Sequence, residues 1–501
     1  MISIKKHDVS TLFINAPHFK LFSKGASYLQ LGILSIAAVM KDNNFEVNVY
    51  DPDFNQKFIR KPAYGLGYPR NFFELYEKNL KFKNHFVWKE IKRTVSKINP
   101  DIVGLTFTTF DYDSALNVAK IVKQINDEII TVVGGHHVNA LPVETMKERF
   151  FDIGIVGEGE FTMLELVEAL SKGKKVNKIR GIVWRKNKRI FKTKPRPLIK
   201  NLDALPFPAR DLLINKGRYP PHVMGNMITS RGCPYSCNFC TTPVMYGNAI
   251  RLRSAKNVFG EMEKVNSDYN TLFFTFHDDL CTFNRRRIIE LCNLIKENKL
   301  DVMWTCITRA DLLDKDLIEK MKSAGCFGIS IGVESGSQEI LNKIQKQIDV
   351  DRLKQVSKMI KEMDINLHLF FSVGHADETE NSLKMTERMI NELNPDTLNV
   401  ARVNPFPSTK IYKDAIKENR FVFKNWHDYH MRLMHLDDDT FRKHFLRMRS
   451  QVYRRNLFGI KKMITSPQFI HKFSKENISS PRDLILYATE FIKTQFEYFV
   501  H

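Results

Sequence analysis

The sequence predicts an α/β chain: a Rossmann-like doubly wound sheet, then a partial (β/α)6 TIM-like barrel, then a helical C-terminal extension. Three observations predict it. Through the first 200 residues, short apolar runs alternate with amphipathic stretches, the pattern of βαβ units on a parallel sheet. From Met227 to about Pro407 the alternation resumes with barrel-like spacing. From about Ile411 onward the chain reads as helical and rich in aromatic, Met and basic side chains.

The first unit spans residues 1–200. Apolar runs place strands at Thr11–Asn15, Phe45–Tyr50, Ile102–Phe107, Ile129–Val133 and Ile153–Val156. Helical spacing falls at about Leu31–Lys41, Ser114–Ile125 and Phe161–Ser171, and an aromatic, basic insertion between Asp53 and Lys97 reads as loop plus helix. Polar or Gly-rich segments follow the strand ends: Thr106-Phe-Thr-Thr109, Gly134-Gly-His-His137 and Gly157-Glu-Gly-Glu160. In a doubly wound sheet such loops share one edge, where ligands bind at the switch in strand order. Small residues there let a bulky ligand approach the backbone, although each Gly pair taken alone also serves as a tight turn. Arg180–Phe191 sets a polar turn between apolar runs and predicts a closing hairpin. Within a linker at 201–225, Leu205-Pro-Phe-Pro-Ala-Arg-Asp211 reads as extended, because two prolines resist helix.

The barrel is placed at 226–410. Its strands are read at Gly225–Ser230, Leu272–Asp279, Val302–Arg309, Gly328–Glu334, Leu367–Gly374 and Thr397–Val403. Barrel chemistry sits at the C-terminal ends of strands, which singles out Asp278, Asp279, Arg309, Glu334, Ser335, Val373 and Gly374. Charges there are costly unless a ligand or a rim salt bridge satisfies them.

Composition bounds the rest. The 501 residues allow two or three domains, and 43% hydrophobic with 27% charged residues describes a globular chain. The longest strongly apolar run, near Leu31–Met40, is about half of a membrane span. The Met-Ile-Ser-Ile-Lys-Lys start lacks an apolar signal core, which predicts a cytoplasmic protein. A net charge of +21 permits nucleic acid, anionic membrane or acidic small molecules as partners. No RNA-binding motif, arginine-rich tract or repeat supports a specific nucleic acid.

Cys233, Cys237 and Cys240 stand in Arg-Gly-Cys-Pro-Tyr-Ser-Cys-Asn-Phe-Cys, spaced C-x3-C-x2-C. Three thiolates on one short loop can hold three irons of a [4Fe–4S] cubane and leave the fourth open for chemistry, whereas electron-transfer clusters are closed by four cysteines. Zinc would want a fourth ligand in a second pair, and none follows at that spacing. Seven cysteines are an odd and sparse set for disulfides. Cys281, Cys292, Cys306 and Cys326 lack mutual metal spacing and read as core, with Cys281 notable for following the Asp pair.

The cysteine segment, with Phe239 before its third cysteine, resembles the radical S-adenosylmethionine (SAM) superfamily. Upstream, Leu31-Gly-Ile-Leu-Ser-Ile-Ala-Ala, Asn99-Pro-Asp-Ile-Val-Gly-Leu-Thr, Gly134-Gly-His and Gly157-Glu-Gly-Glu resemble the cobalamin (B12)-binding domain of its cobalamin-dependent members. The resemblance covers roughly residues 11–410 and implies three cofactors: the cluster on Cys233, Cys237 and Cys240, SAM on its open iron, and cobalamin on the first sheet. It implies SAM contacts from Phe239, Asp278 or Asp279, Arg309, Glu334, Ser335, Val373 and Gly374. It implies cobalamin contacts from Thr106, Thr108, Thr109, Gly134, Gly135, His136, Gly157 and Glu158; His136 and His137 read as pocket or loop residues, not as metal ligands. Three departures stand out: Leu29-Gln30 replaces a Pro-Pro, Gly374-His-Ala-Asp-Glu-Thr379 replaces Gly-Leu-Pro-Gly-Glu-Thr, and D-x-H-x-x-G is absent, Asp428-Tyr-His430 lacking its glycine.

The activity implied is methylation of an unactivated carbon through a 5′-deoxyadenosyl radical and methylcobalamin. A radical cyclase or C–C bond-forming enzyme of the same architecture is the alternative, and a non-catalytic B12 or iron–sulfur sensor a distant one. The partners implied are a small-molecule or lipid-like substrate and an electron donor such as flavodoxin or ferredoxin. Between Phe441 and Ser480, ten Lys/Arg face one Glu among interleaved apolar residues. That tail reads either as a helical cap or as a lid that docks on anionic lipid, peripheral on the inner membrane face.

Overall fold

The computed structural model describes residues 9–22, 29–54, 71–186, 189–214, 216–420, 422–423, 426 and 439–467. Asp428, His430 and the tail from 468 lie outside the described residues.

Five parallel strands, β1 (Ser10–Asn15), β2 (Glu46–Tyr50), β3 (Ile102–Thr106), β4 (Ile130–Gly134) and β5 (Ile153–Ile155), stand in the order 2-1-3-4-5. The antiparallel hairpin β6 (Ile182–Lys186) and β7 (Arg189–Lys192) extends this sheet beyond β5. Side chains alternate across the sheet: Leu12 and Ile14 enter one core, Phe13 the other. Helices α1 (Leu31–Asp42), α2 (Asn71–Lys81), α3 (Phe86–Ile98), α4 (Tyr112–Ile125) and α5 (Glu160–Ser171) cover both faces. The expected single helix of the insertion is two helices, α2 and α3, and Trp88, Ile91 and Val95 of α3 pack into the second core. Strand order reverses between β1 and β3, so the crevice opens at the C-terminal ends there.

The second sheet is wholly parallel and runs in chain order: β8 (Asn226–Met227), β11 (Phe273–Phe276), β12 (Met303–Thr308), β13 (Cys326–Glu334), β14 (Asn366–Val373) and β15 (Thr397–Arg402). Helices α6 (Ala255–Tyr269), α7 (Arg285–Glu297), α8 (Lys315–Ser323), α9 (Val350–Glu362) and α10 (Glu380–Leu393) pack outside, giving a six-stranded partial barrel. Apolar residues of both units, Phe13 and Leu34 of the first with Phe276 and Ile331 of the barrel, merge into one core.

The expected strand Gly225–Ser230 is broken in two. After β8 the chain leaves the barrel sheet, and β9 (Ser230–Arg231) pairs antiparallel with β10 (Arg251–Leu252). A distant residue accounts for it: the Asp278 carboxylate accepts from the Thr229 and Ser230 amides at 2.5 and 3.0 Å, removing them from the ladder. The linker is less extended than expected, with single 3-10 turns at Leu202–Ala204 and Arg210–Leu212.

The last helix, α11 (Asp439–Ile464), lies along the barrel's edge strand. Its Asn456 side chain accepts from the Leu398 N–H at 2.9 Å and donates to the Leu398 carbonyl at 3.3 Å, pairing β15 as a neighbouring strand would. Among the described residues no helix is long and apolar enough to cross a membrane.

Candidate active site

The loop between β9 and β10 carries all three motif cysteines as free, half-exposed thiols. It turns at Gly232, where φ is +89° and a Cβ would stand 2.1 Å from the Ala249 carbonyl oxygen, so only glycine closes the loop. Beyond the turn the Cys240 amide donates to the Cys237 carbonyl at 3.1 Å, and the Thr242 amide points at Cys240 Sγ at 3.4 Å. Burial raises all three thiols, Cys240 to about 11. They are therefore poor free nucleophiles and become thiolates when a cationic centre joins them. Among the described residues no group of three or more His, Cys, Asp or Glu converges on a single ion. A cubane asks something different, one thiolate for each of three irons around a volume, and this donor set suits it.

Four buried charges hold the chain that enters the loop. Asp278 grips Thr229 and Ser230, and also accepts from the Thr229 hydroxyl. Arg287 donates to the Thr229 carbonyl at 2.7 Å and to its hydroxyl at 2.8 Å. Arg253 donates to the Ile228 carbonyl at 2.9 Å, and Arg210 of the linker to the Asn226 carbonyl at 2.7 Å. Glu261, fully buried, pairs with both Arg210 and Arg253; burial works against its charge, yet the two guanidiniums hold its carboxyl below the ordinary value. Asp279, by contrast, is open to the cleft and accepts from Thr242 Oγ1 at 2.9 Å and Gly232 N at 3.3 Å. The concave surroundings and neighbouring Asp278 raise its carboxyl.

The barrel strands end beside the loop. A bulge between Gly332 and Glu334 leaves Glu334 at φ +69°, its carboxylate 2.9 Å from Lys346 Nζ and 2.7 Å from Ser372 Oγ. Burial opposes its charge, but Lys346 keeps Glu334 below the usual carboxylate range. Ser372 Oγ also meets His375 Nε2 at 3.0 Å, and the His375 ring lies edge-on to Phe239, 5.9 Å away. Burial lowers His375 to about 4. Arg309 stacks on Tyr235 at 3.7 Å and donates to Asp311 and to the carbonyls of Lys346 and Gln347. Its guanidinium thus fixes the turn that presents Lys346. Val373 and Ser335 are fully buried, Ser335 Oγ lying 3.3 Å from Thr386 Oγ1, whereas Gly374 is exposed at φ +92° beneath Phe441 of α11.

At the switch of the first sheet lies a cavity lined by Gly32, Gly104, Gly134, Gly135, Gly157 and Gly159. No atom stands within 4 Å of where a Cβ would sit on Gly32, Gly134 or Gly157, so the hollow reaches the backbone itself and suits a broad, flat ligand. Its opposite wall belongs to the cysteine region: Ile228, Arg231, Met245, Tyr246 and Arg253. Of the residues expected here, Thr106, Gly134, Gly135, Gly157 and Glu158 line the cavity. Thr108, Thr109 and His136 do not. Thr108 caps a turn through Asp111 at 2.8 Å, and Thr109 Oγ1 meets His137 Nδ1 at 3.1 Å. His137 is core, fully buried among Phe107, Tyr112 and Trp426, and burial lowers it to about 3. The Glu158 carboxylate is taken up by Arg231 and Arg251, each at 2.7 Å.

Sequence reasoning missed Arg210, Arg231, Arg251, Arg253, Arg287, Glu261 and Lys346, and met Glu160 only as part of the Gly157–Glu160 segment. A faint signal existed in Arg231 and Arg251–Arg253, basic residues on either side of the cysteine loop.

Residues 227–390 match the Radical SAM superfamily and residues 23–167 the B12 binding domain. An uncharacterized methyltransferase of Pyrococcus horikoshii is 33% identical over 77% of this chain and 85% of its own. The anaerobic magnesium-protoporphyrin IX monomethyl ester cyclase of Rubrivivax gelatinosus is 30% identical over 65% of this chain and 60% of its own. Among solved structures, the radical SAM methyltransferase TsrM of Kitasatospora setae, with cobalamin and a [4Fe–4S] cluster bound, superposes with a TM-score of 0.65 at 14% identity, covering 98% of this chain and 99% of that one.

Proposed function

Because this chain belongs to the radical SAM superfamily, in the branch that carries a B12-binding domain, we propose that it is a methyltransferase acting on an unactivated carbon. One observation carries the reading: the glycine-lined cavity and the cysteine loop share a wall, Ile228 and Arg231 leading directly into the loop and Met245 and Tyr246 following its third cysteine. Groups held at the two places would face one substrate.

Cys233, Cys237 and Cys240 would hold the cluster, and the glycine edges at Gly134 and Gly157 would take the corrin. When bound, the cluster with SAM supplies a hydrogen-abstracting radical and the corrinoid supplies the methyl group. The chain's own residues do the positioning. Glu334, kept charged by Lys346, offers carboxylate oxygens to ribose hydroxyls or an ammonium, and Asp279 offers another at the loop's mouth. Phe276, Ile331 and Phe371 pack with the outer helices and hold these strand ends in place.

The test is anaerobic turnover of reconstituted enzyme with methyl-deuterated SAM and lipid and polar extracts of the source cell, with Cys240→Ala as control. A deuterated product that disappears in Cys240→Ala is expected. Formation of 5′-deoxyadenosine with an extract component consumed and no label would replace this reading with ring formation, the reaction that the name of the 30% identical relative describes. If Cys240→Ala kept full biological activity, the protein would be a sensor.

The exposed face of α11 supports a lipid-like substrate reached at a membrane. Lys443, Arg447, Arg454 and Lys461 recur at helical spacing on it, with Leu446 and Phe458 exposed by 53% and 63% between them. Cations flanking apolar side chains match an anionic lipid surface. The protein should sediment with phosphatidylglycerol vesicles at low salt and release at high salt. No sedimentation, or equal binding to phosphatidylcholine, would remove the membrane from the reading.

A further inference from the structure

Two arginines flank the cysteine loop. Arg231 and Arg251 face each other in register on β9 and β10, the two strands from which the loop springs. Both reach across to one turn of the first sheet. Arg231 donates through Nη1 to Glu158 at 2.7 Å and through Nη2 to Glu160 at 2.6 Å; Arg251 Nη1 donates to Glu158 Oε2 at 2.7 Å. The Glu158 and Glu160 residues are 8% and 3% exposed, so the network is desolvated. Glu158 also accepts from the Ile199 amide at 2.7 Å and Glu160 from Ser35 at 2.9 Å, which ties the clamp to the end of the first unit and to α1.

A buried ion-pair network of this kind is weak as a source of stability, because desolvation offsets the attraction; what it provides is a fixed geometry. The geometry fixed here is specific. Glu158 and Arg231 both line the glycine cavity, and Arg231 lies two residues before Cys233. One planar guanidinium held by two carboxylates cannot slide or rotate without breaking a charge-assisted bond.

We propose that Glu158, Glu160, Arg231 and Arg251 are positioning residues that set the distance and angle between the cysteine loop and the glycine-lined cavity. The Gly-Glu-Gly-Glu turn then has two separable jobs: its glycines give room to the ligand, and its glutamates hold the loop that must face it. This rests on the reading that the cavity takes a corrinoid and the three thiols a cluster.

The test reads geometry directly. Full-length protein is loaded with iron, sulfide and hydroxocobalamin and reduced with dithionite. The cobalt(II) signal is then recorded by electron paramagnetic resonance, where the nearby reduced cluster splits it. Arg231→Lys keeps the charge but loses the planar fork that fixes the angle between the two carboxylates; Glu160→Gln removes the charge of one arm. In the parent a single defined splitting is expected. In each variant the spread of splittings should at least double, with iron and cobalamin content per chain unchanged. Splittings as narrow as the parent's in both variants would overturn the proposal. A parent that binds no cobalamin, or shows no splitting, would instead overturn the cofactor reading beneath it. Should neither variant retain both groups, Arg251→Lys, which loosens only the second arm, decides on the same criterion.

Discussion

Asp278 and Asp279 are adjacent and do opposite work. Asp278 is 1% exposed and spends its oxygens on Thr229 and Ser230, while Asp279 opens to the cleft with one hydroxyl and one amide as partners. Both lie just beyond the end of β11 at Phe276, where the chain bends at Asp279, so the first carboxylate turns back onto the chain leaving β8 and the second faces outward. Asp278→Asn must turn an amide NH2 toward the Thr229 amide or hydroxyl, leaving a buried donor without its acceptor. That costs about 1–3 kcal/mol. We expect its urea midpoint to drop accordingly and less iron to be retained after reconstitution. Asp279→Asn keeps its acceptor oxygen and should stay within about 0.5 kcal/mol of the parent. Equal midpoints for the two variants would show that the carboxylates are interchangeable.

At the level of elements, the edge strand β15 is the barrel's exposed flank, and α11 covers it through Asn456 and Gly459. A Cβ on Gly459 would lie 2.5 Å from both the Asp396 carbonyl oxygen and Thr397 Cγ2. Gly459→Ala would gain about 1 kcal/mol of helix propensity. Forcing the helix off a backbone carbonyl costs about 1–3 kcal/mol, and the obstacle is backbone that cannot swing away, so the cost wins. We expect a lower midpoint and, because β15 loses its cover, more light scattering on warming; a stabilised, non-aggregating variant would refute this account of the flank. The contrast shows what the sequence makes legible. Strands such as Ile102–Thr106 and Asn366–Val373 announce themselves locally through apolar runs, and the cysteine loop through its spacing. The break after β8 does not, because Asp278 lies 49 residues from Thr229. Nor does the clamp, whose Arg231 and Glu158 are 73 positions apart, nor the Asn456 pairing with Leu398 across 58. His137 misled because polar residues after a strand look alike in sequence, whether they face the crevice or, as His137 does, the aromatic core.

Across the whole molecule, four histidines are sealed into the folded state: His137 beside the first sheet, His222 ahead of β8, His277 at the end of β11 and His368 on β14. Burial lowers each to about 3. In the unfolded chain each titrates near ~6.5. Between those values the unfolded state binds more protons than the native one, so stability rises with pH and is lost as pH falls below the unfolded value. Each site removes about 1.4 kcal/mol for each pH unit below that value. The four alone would remove about 5 kcal/mol by a pH of about 5.5, a large share of the ~5–15 kcal/mol that holds a typical fold. The Asp51 and Glu378 carboxyls, which burial raises to about 7, take up protons in the fold over the same range and offset part of that loss. The net charge of +21 acts in the same direction as the histidines, since protonation adds to an existing repulsion. Urea unfolding at neutral and mildly acidic pH measures this, and His368→Gln, which keeps a polar side chain but cannot titrate, should flatten the slope by about one proton. A slope that His368→Gln leaves unchanged would mean that this imidazole is already protonated in the fold, and that the core around β14 admits water where it looks closed.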